Sequence, residues 1–156
     1  MITQNEFITN NSALHHLSTD LLNQNFELGN LYADRGDFLL AIPKLQIAAD
    51  AFFLFHDLEK YLDCHNKVFR MWGYQVKFEE IQEFKEKIQD LVLKEGFELN
   101  SKTYYTMALC ESYRGQNESA LEYLQKALAI ALATDKKEDI CYAINGIAIC
   151  YKNLGR

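Results

Sequence analysis

The sequence predicts an all-α fold, and three observations carry that prediction. The chain contains a single Pro and only seven Gly, too few punctuators to separate many short strands. Long stretches rich in Leu, Ala, Glu, Lys and Gln favour helix. Above all, one pattern recurs. Leu28-Gly29, Tyr32, Gly36 and Ala41 are answered further along by Val68-Phe69, Trp72, Val76 and Ile81. The same positions come round again at Met107-Ala108, Glu111, Gly115 and Ala120, and once more at Ile147-Ala148, Tyr151 and Gly155. Self-similarity at a nearly fixed period of about 40 residues marks a repeat protein.

About seven helices follow. The first is expected from Ala13 to Arg35, capped by Ser12, with Leu28, Leu31 and Tyr32 on one face at i, i+3, i+4 spacing. Gly36 ends it, since a left-handed C′ residue is cheapest as Gly. Asp37 is placed to cap the second helix, Phe38 to Phe55, which carries the stripe Ala41, Leu45 and Ala48. Pro43 lies inside its first turns, so a late start or a bend is expected there. The third helix runs from about Asp57 to Tyr74 and the fourth from Phe78 to Glu95, stopped by Gly96. Three more span Ser101 to Arg114, Asn117 to Ala133 and Lys136 to Asn153, and Asp57 and Ser101 are the stronger N-cap candidates. Ala120, Leu124, Ala127 and Leu128 form the stripe of the sixth helix. Small residues at Gly29, Ala41, Ala108, Ala120 and Ala148 let helices approach at the short end of the usual range of about 8–10 Å.

The motif L-G-x-x-Y, then G, an aromatic and A-x-x-x-L, resembles the tetratricopeptide repeat, with Asn25 to Ala51 the closest match and Thr103 to Ala131 the next. Three positions depart from it: Phe69 stands where a small residue is preferred, Val76 replaces the turn Gly, and Glu111 replaces Tyr. The spacing also exceeds the family's usual length of about 34 and resembles its long-repeat subgroup in bacterial regulators and cytoskeletal adaptors. The resemblance implies a right-handed superhelical stack of helix-turn-helix units at 13–55, 57–96 and 101–134, with a final half unit at 136–156, in one domain spanning 1–156. It implies a scaffold that binds a partner peptide in a concave groove lined by the first helix of each unit. The chain is expected to be part of a longer protein, as its regulatory input. The rival readings are a peptide-sensing regulator and an oligomerisation element for an effector domain.

Composition sets outer bounds. A formal net charge of −6 with no Lys/Arg block argues against direct nucleic-acid binding. No apolar run reaches the length of about 18 residues that a membrane span needs, and Met1 to Phe7 lacks the start of a signal peptide. A cytoplasmic protein is expected. Cys64, Cys110, Cys141 and Cys150 form no CxxC pair and read as reduced thiols, with Cys110 and Cys150 at equivalent packing positions.

No chemistry emerges from the motifs. His15-His16 and Cys64-His65 are adjacent in sequence and diverge by about 100° on a helix, whereas a metal site needs three or four converging ligands. Glu79, Glu80, Glu83 and Glu86 interleave with Lys77, Lys85 and Lys87, a mixed-charge face expected to be solvated. Asp135, Glu138 and Asp139 suit a helix start. Without a paired nucleophile and base or a phosphate loop, the expectation is a non-enzyme with no metal and no cofactor.

The groove is the better candidate. Projecting from the first helices, off the core stripe, are Phe26, Asn30, Asn66, Arg70, Tyr74, Lys102, Tyr105, Tyr113, Tyr142, Asn145 and Lys152. Tyr, Asn and isolated cations suit a peptide backbone together with a carboxylate or aromatic side chain. Asn and Lys/Arg there resemble, in part, the carboxylate clamp of chaperone-binding members. A second surface is expected on the last helix, where Ile147, Ala148 and Tyr151 would lie uncovered and promote self-association.

Overall fold

The computed structural model describes the backbone of residues 4–156 and the side chains from Thr19 onward. Those residues form seven helices and no strand: α1 (Gln4–Asp34), α2 (Phe38–Leu54), α3 (Leu58–Tyr74), α4 (Phe78–Glu95), α5 (Ser101–Tyr113), α6 (Asn117–Ala133) and α7 (Lys137–Asn153). They pack as two compact units that divide within α3, one ending at His65 and the other running from Asn66 to Arg156. No helix of the described residues is long and apolar enough to cross a membrane.

The repeat is written into the connections. A residue with positive φ closes every helix, at Gly36, His56, Val76, Gly96, Gly115, Asp135 and Gly155. Their spacing along the chain is almost constant and equals half the sequence period. After six of them the next N–H reaches back to the carbonyl at the fifth position before it, as in Lys77 to Trp72 and Gln116 to Glu111, both at 2.9 Å. That is the Schellman closure, which satisfies carbonyls the helix leaves orphaned. Gly96 makes the simpler bond to Val92 O at 3.0 Å, and an irregular segment then leads into α5. Val76 therefore adopts the turn geometry of the Gly it replaces, with φ of 60°, a costly conformation for a β-branched residue.

Helix starts differ from expectation in detail. Asp57 Oδ1 accepts from the Lys60 N–H at 3.1 Å, as a cap should. For α5 the cap is Asn100, whose Oδ1 accepts from the Thr103 N–H and hydroxyl, both at 2.9 Å. Ser101 is instead the first helical residue. Asp37 makes no side-chain cap bond; only its backbone carbonyl serves the helix start, accepting from the Ala41 N–H at 2.9 Å. Pro43 delays nothing, since α2 begins at Phe38 and runs through it. The first helix starts at Gln4 rather than Ala13 and continues through Ser12, whose side chain lies outside the described residues.

In the unit ending at His65, Ala41, Leu45 and Ala48 are fully buried as the stripe requires. A Cβ at Gly29 would lie 2.8 Å from Leu45 Cγ, so only Gly fits there. Phe26 meets Phe52 edge to face at 5.3 Å. Leu31, expected inside, is exposed, and Leu22 is buried on α1 instead.

In the unit from Asn66 to Arg156, Ala108, Ala120, Leu121, Leu124 and Cys150 form one core cluster, with Tyr105, Tyr123 and Ile147 packed against it. Ile147, expected on an open surface, thus turns inward. The bulk of Phe69, anomalous in the repeat, is taken up edge-on by Phe84 at 4.6 Å. Close approach depends on two glycines with no part in the motif: a Cβ at Gly73 would lie 2.8 Å from the Tyr113 ring, and one at Gly146 would lie 2.7 Å from Leu124.

The mixed-charge face of α4 is not wholly solvated. Lys85 is buried, and its Nζ donates to Glu111 Oε1 at 2.6 Å. Lys85 stands one period after Leu45 and one before Leu124, so the repeat assigns it a core position whatever its charge.

Candidate functional site

The odd-numbered helices α3, α5 and α7 of the second unit bring together five of the groove candidates. Gly73 admits the Tyr113 ring, which then meets Tyr74 with centroids 5.6 Å apart and planes tilted by 42°. Burial first, and then a hydrogen bond with Tyr74, push the Tyr113 hydroxyl up to about 12. One helix further on, Tyr105 and Tyr142 repeat the arrangement at 5.7 Å and 36°. The Tyr142 hydroxyl donates to Glu138 Oε1 at 3.1 Å, and that bond, with the carboxylate's charge, raises its pKa above the ordinary phenol value. Tilted aromatic pairs of this kind give large, rigid contact area with polar tips.

Arg70 belongs to the same surface. Its guanidinium is exposed, and its charge acts on both Tyr142 and Cys110. Among the described residues it makes no ion pair, unlike Lys85 or Arg114. Lys102, Asn145 and Lys152 are exposed on α5 and α7. The face thus presents four tyrosine rings, the Glu138 carboxylate and a cation that makes no ion pair among the described residues, on a chain whose net charge is −6.

Asn66 is placed differently. It is buried, and its Nδ2 donates to Thr103 Oγ1 at 3.2 Å. Thr103 in turn donates to Asn100, so a short chain of side chains ties α3 to the start of α5. Phe26 and Asn30, both half-buried, belong to the other unit.

Buried polar ties underlie the tyrosine face. The Ser101 hydroxyl donates to Asp139, joining α5 to α7 beneath the level of Tyr105 and Tyr142. Glu111 takes the Lys85 ammonium, with Arg114 Nη1 at 3.7 Å, and Lys85 also lies 5.1 Å from the centre of the Tyr123 ring. Burial by itself would lower the Lys85 pKa, but the hydrogen bond to Glu111 and the neighbouring negative groups outweigh it and raise it. Asp139 was legible only as a residue favouring the helix start, and its bond to Ser101 depends on helix packing.

Burial holds the Cys110 and Cys150 thiols in their protonated form. Cys64, Cys110 and Cys150 are buried and Cys141 is exposed. Burial, reinforced by Glu111, pushes the Cys110 thiol up to about 12, the opposite of what a nucleophile needs. Among the described residues no three His, Cys, Asp or Glu side chains are grouped to hold a metal; the His15-His16 pair lies outside them. Compared with protein-family models, with curated proteins and with solved structures, the chain matches none.

Proposed function

We propose that this chain is a helical-repeat interaction module that binds an extended peptide segment across α3, α5 and α7. The observation that supports this most directly is the pairing of Tyr74 with Tyr113 and of Tyr105 with Tyr142, beside an Arg70 that has no ion pair among the described residues. Rigid aromatic rings supply contact area at low entropic cost, and their hydroxyls can meet a peptide backbone. The exposed cation favours a ligand with a carboxylate, so the preferred partner is an acidic segment that carries an aromatic residue. In this reading the repeats are tetratricopeptide-like, stack as a right-handed superhelix, and serve as the regulatory input of a larger protein without catalysing a reaction.

Selection of a displayed peptide library on the full chain tests the proposal. The enriched sequences should be acidic and aromatic. Arg70→Glu/Tyr105→Ala should lose them while far-UV circular dichroism stays unchanged. Peptide recovery equal to that of the parent chain would remove the groove assignment.

A further inference from the structure

The tyrosine face carries charges of both signs, and their placement narrows the class of ligand. Arg70 lies four residues before Tyr74 on α3, and Glu138 lies four residues before Tyr142 on α7. Side chains at i and i+4 share one helix face, so each tyrosine pair has a charge one turn below it, positive on one side and negative on the other. Both charged side chains are exposed, and among the described residues neither makes an ion pair. They are held apart by α5, which meets α3 where Tyr113 packs on Gly73 and meets α7 where Ser101 bonds Asp139. The Tyr142 hydroxyl senses both charges. It donates to Glu138 Oε1 at 3.1 Å, and Glu138 raises its pKa while Arg70 lowers it. That bond lays the Glu138 side chain along the tyrosine face and leaves its charge uncompensated.

We infer that Arg70 and Glu138 make this a bipolar site, whose peptide lays an acidic residue over α3, an aromatic residue between, and a Lys or Arg over α7. The inference rests on the reading of this face as a peptide site and specifies the order of charges in the peptide. A segment acidic throughout meets repulsion at Glu138, and one basic throughout meets it at Arg70. Only a segment carrying both signs on opposite sides of its aromatic residue is favoured at each end. The acidic segment proposed above therefore includes one basic residue, at the α7 end.

A displayed peptide library is selected in parallel on the full chain and on the charge-exchanged variant Arg70→Glu/Glu138→Arg, which keeps the net charge of −6. The parent should enrich peptides with an acid and a base on opposite sides of an aromatic residue, in one order. The exchanged chain should enrich the reverse order, and each chain should bind the other's peptides about tenfold more weakly or worse. The most enriched parent peptide is then synthesised with a fluorescein label and titrated by anisotropy. Glu138→Gln keeps an acceptor for the Tyr142 hydroxyl and removes only the charge. That substitution, and replacement of the peptide's basic residue by Gln, should each weaken binding about threefold to fivefold. Combined, they should weaken it no more than either alone. Both positions on the chain are exposed, so circular dichroism should hold. Acidic aromatic peptides with no base at a fixed position, or affinity indifferent to Glu138→Gln, overturn the inference and leave the peptide site standing. Enrichment of no aromatic peptide overturns both.

Discussion

The Lys85 ammonium and the Glu111 carboxylate meet at 2.6 Å, with side chains only 10% and 5% exposed. The pair joins α4 to α5 at two positions where the neighbouring repeats carry apolar or aromatic side chains. Desolvating two charges consumes most of what their attraction yields, so the pair contributes little net stability, yet losing one partner strands the other. Lys85→Met should therefore cost about 3 kcal/mol or more in urea unfolding. The double variant Lys85→Leu/Glu111→Leu should unfold within about 1 kcal/mol of the parent, or later than it. A double variant as unstable as the single one would show that the pair does more than compensate its own burial.

Val76 should be replaceable with profit. Its side chain is 66% exposed while its φ is 60°, so Gly removes strain and sacrifices almost no packing. Relief of about 1–2 kcal/mol, less the entropy Gly adds to the unfolded chain, leaves a net gain of about 0.5–1 kcal/mol. A Val76→Gly variant should melt a few degrees higher by calorimetry, and a lower Tm would contradict the strain argument.

Alkaline pH should destabilise the fold for a countable reason. Tyr61 is held up to about 12 by burial and then by Asp50, and Tyr113 reaches about 12 by burial and its bond to Tyr74. Unfolded tyrosines ionise near about 10. Below that value both states are neutral and stability is unaffected. Between about 10 and 12 the unfolded chain releases protons that the folded chain retains, and stability falls as pH rises. The raised Lys85 pKa acts in the same direction, since its contribution is full below the unfolded value of about 10.4 and is lost above it. Absorbance in the near ultraviolet, where tyrosinate absorbs, should show a late phase that Tyr61→Phe and Tyr113→Phe each reduce.

Thiol accessibility should separate the four cysteines cleanly. Only Cys141 is exposed, and burial raises the pKa of both Cys110 and Cys150. Ellman's reagent at mildly alkaline pH should titrate one thiol rapidly in the native chain and four in guanidinium, with Cys141→Ser abolishing the fast phase.

Much of the helical framework was legible because its signals are local and repeat. Gly36, Gly96, Gly115 and Gly155 announce helix ends through their own conformational freedom. His56, Val76 and Asp135 occupy the same turn without that signature, and the constant spacing is what identifies them. Caps were less legible: Asn100 and Ser101 are both competent, and the tertiary bond from Ser101 to Asp139 assigns the second to another task. Of the groove candidates, Arg70, Tyr74, Tyr105, Tyr113 and Tyr142 share one face, whereas Asn66 is drawn inside by Thr103. A helical wheel cannot distinguish these outcomes, because it records direction around one axis and not what stands opposite.

The count of helices, the rhythm of their ends and the apolar stripes of α2 and α6 can all be read from the chain's own order of residues, since each follows from backbone preference and periodic hydrophobicity. Packing had to be seen before Lys85 could be called buried, before Ile147 could be turned inward and Leu31 outward, and before the tyrosines could be paired. Each of those outcomes depends on side chains well separated in the chain, because burial and charge pairing are properties of the assembled neighbourhood.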